Sequence, residues 1–272
     1  NLEPELYSFA IFQAFKSYLQ NAAIKSYKVH LKLDTGMHRL GFEAQDIQTL
    51  SSLLKETDCF QVASVFSHLA GSAEKEHDDF TQFQFEQYLQ MAREIERALP
   101  YRFIRHIANS AAIKRFPGMQ LDMVRLGIGL YGIDTDTGTQ NLLKNVTTLK
   151  TTISQIRHIP KGESIGYSRA AVMPYDATIA TVRIGYADGY PRSLGNGKGK
   201  MLVNGQLAPV AGNVCMDMLM LDVTGIEVAE EDEVIVFSEV LTVTMLAKWA
   251  NTIPYEILTN ISQRVRRVYY QE

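Results

Sequence analysis

Apolar and polar residues alternate with two different rhythms along the chain. The first half, up to residue 140, places short apolar runs between longer amphipathic stretches. Helical spacing predicts helices over Ala44–Lys55 and Asp78–Leu99. Strands are predicted in the apolar runs Lys28–Gly36, Phe60–Ala70, Phe103–Ala108 and Met123–Gly132. Strands joined by crossovers of this length pair in parallel, so the first half is predicted to be an α/β domain.

The second half contains strands with almost no helix between them. After the polar stretch 134–140, an Asn204-Gly205 pair marks a hairpin, and Thr244–Asn251 is the one helix expected. The predicted strands are Val146–Ile159, Ala177–Tyr186, Lys200–Val210, Met218–Val223 and Glu233–Phe237. The sequence therefore predicts two domains, an α/β domain over 1–140 and a β-rich domain over 141–272.

Composition and charge narrow the class of protein. The net charge of −3 gives no basic surface for nucleic acid or for an anionic membrane. No apolar run reaches the ~18 residues of a membrane-spanning helix. The two cysteines, Cys59 and Cys215, are far apart, as is usual in a reduced intracellular protein. We therefore expect a soluble cytoplasmic protein. Its first residues, NLEPELYSFA, read as an internal segment, which indicates a truncated chain.

Several glycine-punctuated strings stand out against ordinary core packing. They are GYADGYPR at 185–192, GESIGYSR at 162–169, MVRLGIGLYG at 123–132 and CMD at 215–217. Together, and in this order, they resemble the alanine racemases, which are pyridoxal phosphate (PLP) enzymes with a (β/α)8 barrel followed by a β-domain. The resemblance spans the chain. Because about 140 residues are too few for a complete barrel of ~250, it implies the C-terminal half of a TIM-type barrel. A small complete α/β domain is the alternative.

One expected segment has no counterpart. In the family, the lysine that forms a Schiff base with PLP lies in a segment like KADAYGHG near the start of the barrel, and nothing in the 272 residues matches it. The resemblance therefore implies a chain that is inactive alone. Racemase activity is expected of the longer parent protein, which in some family members is fused behind a cell-wall ligase.

Polar residues at predicted strand ends point to a phosphate site. Asn109 and Ser110 follow a strand and are good helix caps, and exposed backbone amides at such a position bind phosphate. Gly127 allows the backbone to approach an anion closely. Ordinary helix capping is the alternative for Asn109 and Ser110. The resemblance implies that Ser110, Gly127 and Ile128 hold the phosphate of PLP, with Asn109 beside them.

Arg125 lies in the apolar segment 123–132, and a buried arginine requires a partner. From the residues alone, an ion pair with Asp122 would satisfy it. The resemblance instead places Arg125 opposite the pyridine nitrogen of PLP, which such a permanently charged group leaves unprotonated. It also implies that His106 supports Arg125 and that His68 lies near the PLP ring, although either histidine could be an ordinary core residue.

Lys32 and Arg39 flank the turn that ends the first predicted strand. Taken alone, Arg39 would be a surface or interdomain salt-bridge residue. The resemblance implies that Arg39 contacts the cofactor and substrate and is held by Lys32 in a carbamylated form. A CO2 adduct would convert Lys32 into an anion able to pair with the arginine.

Tyr167, Tyr186 and the Met216-Asp217 pair follow separate strands of the second half. Racemisation removes a proton from one face of Cα and delivers one to the other, which requires two acid/base groups. The resemblance makes Tyr167 one of them and the absent lysine the other. It places Met216 and Asp217 at the substrate carboxylate and Tyr186 at the entrance, all from the second subunit of a homodimer. From the residues alone, these tyrosines would be structural.

The function implied by this resemblance is interconversion of L- and D-alanine for peptidoglycan synthesis. Two alternatives are left open. One is a non-catalytic fragment that serves as a dimerisation or interaction module. The other is a PLP enzyme of the same fold, such as an amino-acid decarboxylase, against which GYADGYPR and CMD argue.

Overall fold

The computed structural model describes residues 2–134 and 136–270. It divides the chain into two units, Asn1–Leu143 and Lys144–Glu272. Strands and helices alternate in the first unit. In chain order they are β1 (Glu5–Leu6), α1 (Phe9–Asn21), β2 (Tyr27–Lys32), α2 (Ile47–Lys55), β3 (Phe60–Phe66), α3 (Asp78–Ala98), β4 (Ile104–His106), α4 (Ser110–Arg115) and α5 (Thr137–Gln140).

The strands of the first unit form one parallel sheet in the order β1-β2-β3-β4. Consecutive parallel neighbours with a helix on each crossover are the arrangement of a (β/α)8 barrel, of which this sheet is a part. Three predicted strands are confirmed with shorter limits, as β2, β3 and β4. Strand β1 was not predicted, because two residues are too few to show a period.

The fourth predicted strand, Met123–Gly132, is wrong. This segment has irregular backbone followed by a 3₁₀ turn over Ile128–Tyr131. Glycines interrupt it: Gly127 has φ −105° and ψ −101°, and Gly132 has φ 74°, neither of which continues a strand. Leu130 is also 63% exposed, so its apolar side chain is not packed as a central strand would require. The segment nevertheless touches the sheet, because the Arg125 amide donates to the Ala108 carbonyl over 3.0 Å.

The core of the first unit lies between the sheet and its helices. Strands β2 and β3 bury Val29, Leu31, Val62 and Val65. Helix α3 buries residues at helical spacing, among them Tyr88, whose hydroxyl donates to the Val65 carbonyl over 2.8 Å. This packing holds the carboxyl ends of the strands in fixed positions.

The second unit is built around a closed antiparallel barrel with strand order β10-β11-β8-β5-β12-β9, and β6 and β7 form a separate pair. Asn204 and Gly205, with φ of 47° and 77°, make the predicted hairpin turn between β9 and β10. The elements are β5 (Leu149–Ile159), β6 (Ser164–Ile165), β7 (Ala171–Val172), β8 (Ala177–Val182), β9 (Lys200–Val203), β10 (Gln206–Ala211), β11 (Leu219–Asp222), β12 (Glu233–Phe237), α6 (Val243–Ala250) and α7 (Pro254–Thr259).

None of the helices within residues 2–134 and 136–270 is both long enough and apolar enough to cross a membrane.

Candidate functional site

The carboxyl ends of β2, β3 and β4 bring polar side chains to one edge of the sheet. Lys32 is the last residue of β2, His68 comes two residues after β3, and Ser110 follows β4. Arg39 lies in the loop after β2, where Asp34 accepts hydrogen bonds from loop amides. Because parallel strands end at the same edge, residues far apart in sequence meet there.

Arg125 is the centre of this edge. Its guanidinium donates to the Ser67 carbonyl over 2.7 Å and contacts the Nδ1 atoms of His106 and His68 at 2.5 and 3.2 Å. It also lies over the Phe66 ring, 5.2 Å from the ring centroid. Within residues 2–134 and 136–270, no carboxylate lies within 4.0 Å of it. The predicted ion pair between Arg125 and Asp122 is therefore wrong, since Asp122 pairs with Arg105 instead.

The contacts of Arg125 fix the direction of a hydrogen-bond chain. A guanidinium only donates, so His106 must accept at Nδ1 and carry its proton on Nε2. His106 Nε2 then donates to Ser64 Oγ over 3.0 Å, and Ser64 Oγ donates to His30 Nδ1 over 2.6 Å. His30 Nε2 lies 3.1 Å from a carboxylate oxygen of Glu3. The chain orients His106 and thereby Arg125.

Both histidines beside Arg125 are held neutral. The pKa of His106 is lowered from 6.5 to about 4, mainly by burial and then by the positive charge of Arg125. The pKa of His68 is lowered to about 4 by burial and then by the positive charges of Arg125, Arg39 and Lys32. Three cations therefore act on one point, so this edge of the sheet favours an anionic ligand.

Ser110 and the glycines of segment 123–132 form a small polar cradle. Ser110 Oγ accepts from the Gly127 amide over 2.8 Å and from the Gly129 amide over 3.5 Å. A Cβ on Gly127 would meet nothing closer than Ser110 Oγ at 3.6 Å, so the position is open. Asn109 caps α4, with its side chain accepting from the Ala112 amide, as capping predicts. Ile128 begins the 3₁₀ turn beside the cradle.

Lys32 is 7% exposed, and its amine lies 3.4 Å from Oε1 of Glu5 on the neighbouring strand β1. Arg39 is exposed and has no ion pair with any acidic group in the part of the chain that the structure describes. Sequence reasoning missed Glu5, because a two-residue strand does not reveal which way its side chains point.

The second unit gathers the other predicted residues by joining three loops. Tyr167 is 70% exposed and opens a 3₁₀ turn, and its carbonyl accepts from the Asn213 side chain over 3.1 Å. Its neighbours Ser168 and Arg169 have φ of 61° and 50°. Two consecutive non-glycine residues in the left-handed region are strained, and such strain is typical of functional sites.

The loops of Tyr186 and Met216 are locked together by backbone contacts. The Tyr186 amide donates to the Cys215 carbonyl, and the Ala187 amide donates to the Met216 carbonyl, each over 3.0 Å. A Cβ on Gly185 would lie 2.3 Å from the Met216 carbonyl oxygen, so only glycine permits this approach. The loop of Asn213 leads directly into Met216, so the three predicted loops meet.

Arg264 holds the loops of Tyr186 and Met216 together, and the sequence analysis did not predict it. Its Nε donates to Asp188 over 2.7 Å and its terminal nitrogen to Asp217 over 2.6 Å. It bridges the loops of Tyr186 and Met216 from a distant part of the chain. The basic run RVRR at 264–267 was the available signal, but it reads equally well as a solvated surface.

Comparison with known proteins gives matches in both units. Residues 1–135 match the family described as "Alanine racemase, N-terminal domain", and residues 146–269 match "Alanine racemase, C-terminal domain". The chain is 39% identical to an alanine racemase from Clostridium tetani, covering 100% of this chain and 72% of that protein.

Solved structures of alanine racemases also match this chain. An alanine racemase from Streptomyces coelicolor A3(2) matches with a TM-score of 0.93 at 29% identity, over 100% of this chain and 73% of that one. One from Bartonella henselae, described with covalently bound pyridoxal phosphate, matches with a TM-score of 0.86 at 29% identity, over 99% and 73% of the two chains. Among eight similar curated relatives, the chain spans between 65% and 74% of the relative's length. It belongs to the alanine racemase family.

Proposed function

We propose that the full-length protein containing this chain is a PLP-dependent alanine racemase, which interconverts L- and D-alanine. The observation that carries the proposal is the environment of Arg125, a partly buried cation held by two neutral histidines and by carbonyl oxygens. This environment, in a member of this family, suits a cofactor whose ring nitrogen accepts a hydrogen bond without becoming protonated.

The described residues fit PLP at two points. Ser110 Oγ and the amides of Gly127 and Gly129 provide a cradle for its phosphate, with Ile128 beside it. Arg125, oriented by His106, would hold the ring nitrogen, and His68 would lie near the ring. When bound, PLP stabilises negative charge at Cα of an amino acid. Arg125 would keep its own proton and leave the ring nitrogen unprotonated, which would limit that stabilisation and disfavour side reactions.

The proton transfer falls to Tyr167. Its phenol takes or gives the proton at one face of Cα, and the lysine that anchors PLP in the family serves the other face. Arg39 contacts the cofactor and substrate, and the Met216 amide, next to Asp217, receives the substrate carboxylate. Tyr186 narrows the entrance.

Two further parts of the proposal are where the protein acts in the cell and how its copies assemble. We propose that the protein acts in the cytoplasm, where D-alanine supplies peptidoglycan synthesis for the cell wall. We also propose a homodimer in which the loops of Tyr167, Tyr186 and Met216 from one copy serve the cofactor site of the other. The domains assigned to these roles are 1–140 for PLP binding and 141–272 for the β-rich part.

The test uses the full-length protein with PLP and follows the formation of D-alanine from L-alanine by chiral chromatography. Tyr167→Phe should lower the rate about 10²- to 10⁴-fold, the usual range for one acid/base group, while PLP absorbance is retained. Tyr175→Phe is the matched control, because its hydroxyl contacts Asp222 elsewhere in the unit, and it should keep full activity. Release of CO2 from an amino acid would favour a decarboxylase, and absence of any turnover would favour a non-catalytic module. Either result contradicts the proposal.

A further inference from the structure

The loop that follows β3, residues 67–77, is held in place by the two helices beside it. Helix α3 holds its first part through Gln84, which is fully buried. The side-chain oxygen of Gln84 accepts from the Ala70 amide over 2.9 Å, and its side-chain nitrogen donates to the His68 carbonyl over 3.2 Å. A buried carboxamide that is satisfied by loop backbone on both sides fixes the path of that backbone.

Helix α4 holds the middle of the same loop through its last residue, Arg115. The guanidinium donates to the Ser72 carbonyl over 2.5 Å and to Oδ1 of Asp78, the first residue of α3, over 2.6 Å. The Arg115 side chain is only 18% exposed. One planar group with two separate donors therefore joins α3, α4 and the loop at a partly buried point.

The Ser72 side chain connects this loop to the residue that precedes Ser110. Ser72 is 2% exposed, and its hydroxyl donates to Oδ1 of Asn109 over 2.8 Å. The same oxygen accepts from the Ala112 amide over 3.1 Å. An amide oxygen has two lone pairs, so these two hydrogen bonds fix the Asn109 carboxamide. Because Asn109 and Ser110 are neighbours in the chain, this also limits where the Ser110 hydroxyl can lie.

The Ser110 hydroxyl is the group whose position matters in the cradle. Its oxygen accepts from the Gly127 and Gly129 amides over 2.8 and 3.5 Å. A hydroxyl has two lone pairs and one hydrogen, so that hydrogen can still donate to a phosphate oxygen. A hydrogen bond to an anion is short and depends steeply on distance and angle. A small displacement of Ser110 would therefore weaken phosphate binding.

We propose that Ser72 is a positioning residue for the phosphate of PLP and acts through Asn109 on Ser110. Arg115 completes the arrangement by holding the Ser72 backbone. The proposal rests on the proposed function, because it takes PLP as the ligand of the cradle. One loop would then serve two parts of the cofactor, with His68 near the ring and Ser72 behind the phosphate.

The test compares PLP with pyridoxal, which has the same ring and aldehyde but no phosphate. Absorbance titration of the full-length protein, stripped of cofactor, gives a dissociation constant for each, and their ratio isolates the contribution of the phosphate. Ser72→Ala should weaken PLP binding about 3- to 10-fold, the range expected for one hydrogen bond, and should leave pyridoxal binding unchanged. Arg115→Gln should change the ratio in the same direction.

The matched control is Ser238→Ala. Ser238 is also buried, and its hydroxyl accepts from the Val240 and Leu241 amides in the second unit. This variant loses a buried serine hydroxyl away from the cradle, so both dissociation constants should equal those of the wild type.

An unchanged ratio of the two constants in Ser72→Ala would overturn the proposal, whether both ligands bind as in the wild type or both bind more weakly. The second case would show a general structural role for Ser72. Binding needs no turnover, so the proposed function can fail separately. A protein that shows the selective effect of Ser72→Ala on PLP but does not racemise alanine would contradict the proposed function alone.

Discussion

Replacing His106 by asparagine should remove part of the acid sensitivity of the folded protein. His106 is 4% exposed, and its Nδ1 accepts from Arg125. Burial, and then the positive charge of Arg125, lower its pKa to about 4, and a proton added at Nδ1 would also set a donor against a donor. In the unfolded chain the pKa returns to 6.5, so acid favours unfolding between these two values.

The size of the effect follows from the two pKa values. Above pH 6.5 His106 is neutral in both states, and its contribution is fully present. As the pH falls from 6.5 to 4, His106 binds a proton in the unfolded chain but stays largely neutral in the folded state. Between pH 7 and pH 5, this difference lowers the free energy of unfolding by about 2 kcal/mol. His106→Asn keeps an acceptor oxygen toward Arg125 but cannot titrate. Its free energy of unfolding should therefore fall by about 2 kcal/mol less than that of the wild type between pH 7 and pH 5.

The assay is denaturant unfolding at both pH values, followed by far-UV circular dichroism, because α1 to α3 of the first unit supply most of the helical signal. Val65→Ala is the control. It removes buried carbon from the adjacent strand β3, so it should lower stability at both pH values without changing the difference between them. If His106→Asn loses as much unfolding free energy between pH 7 and pH 5 as the wild type does, His106 is not the neutral acceptor of a hydrogen bond from Arg125.

Three further predictions concern the Ser110 cradle, two glycines with positive φ, and the bridge that Arg264 makes between two loops. Ser110→Ala should weaken PLP binding about 10-fold or more, the cost of one hydrogen bond to a charged group, as measured by absorbance titration. Gly162→Ala should cost ~1–2 kcal/mol of unfolding free energy because of its positive φ of 90°. Gly189→Ala should cost clearly more, since its Cβ would also lie 2.2 Å from the Asn260 carbonyl oxygen, and equal midpoints in denaturant would contradict this. Arg264→Gln should raise KM for alanine more than it lowers kcat, because it releases the two loops that Arg264 bridges, and an unchanged KM would refute that role.

Regular elements with a clear period could be predicted from the sequence. The alternation in Lys28–Gly36 predicts β2, and the Asn204-Gly205 pair predicts its hairpin because both residues accept positive φ. Met123–Gly132 was misread because its apolar residues resemble a strand. Its glycines instead bend the backbone around Ser110, and this bend forms the cradle.

The contacts that orient the site could not be predicted, because they join residues distant in sequence. Ser64 links His30 and His106 only when three strands are laid side by side. Glu5 meets Lys32 through the pairing of β1 with β2, and no periodicity shows that pairing. Motif resemblance predicts which residues act in the site, but the partner of each charge required the structure.

The central claim is that Tyr167 and a lysine act on opposite faces of one alanine Cα. Deuterium wash-in from heavy water tests it most directly. The full-length protein should place deuterium at Cα starting from either L- or D-alanine, since each enantiomer presents its proton to one of the two groups. Tyr167→Phe should retain exchange from one enantiomer and lose it from the other. Equal exchange from both enantiomers in this variant would contradict the account.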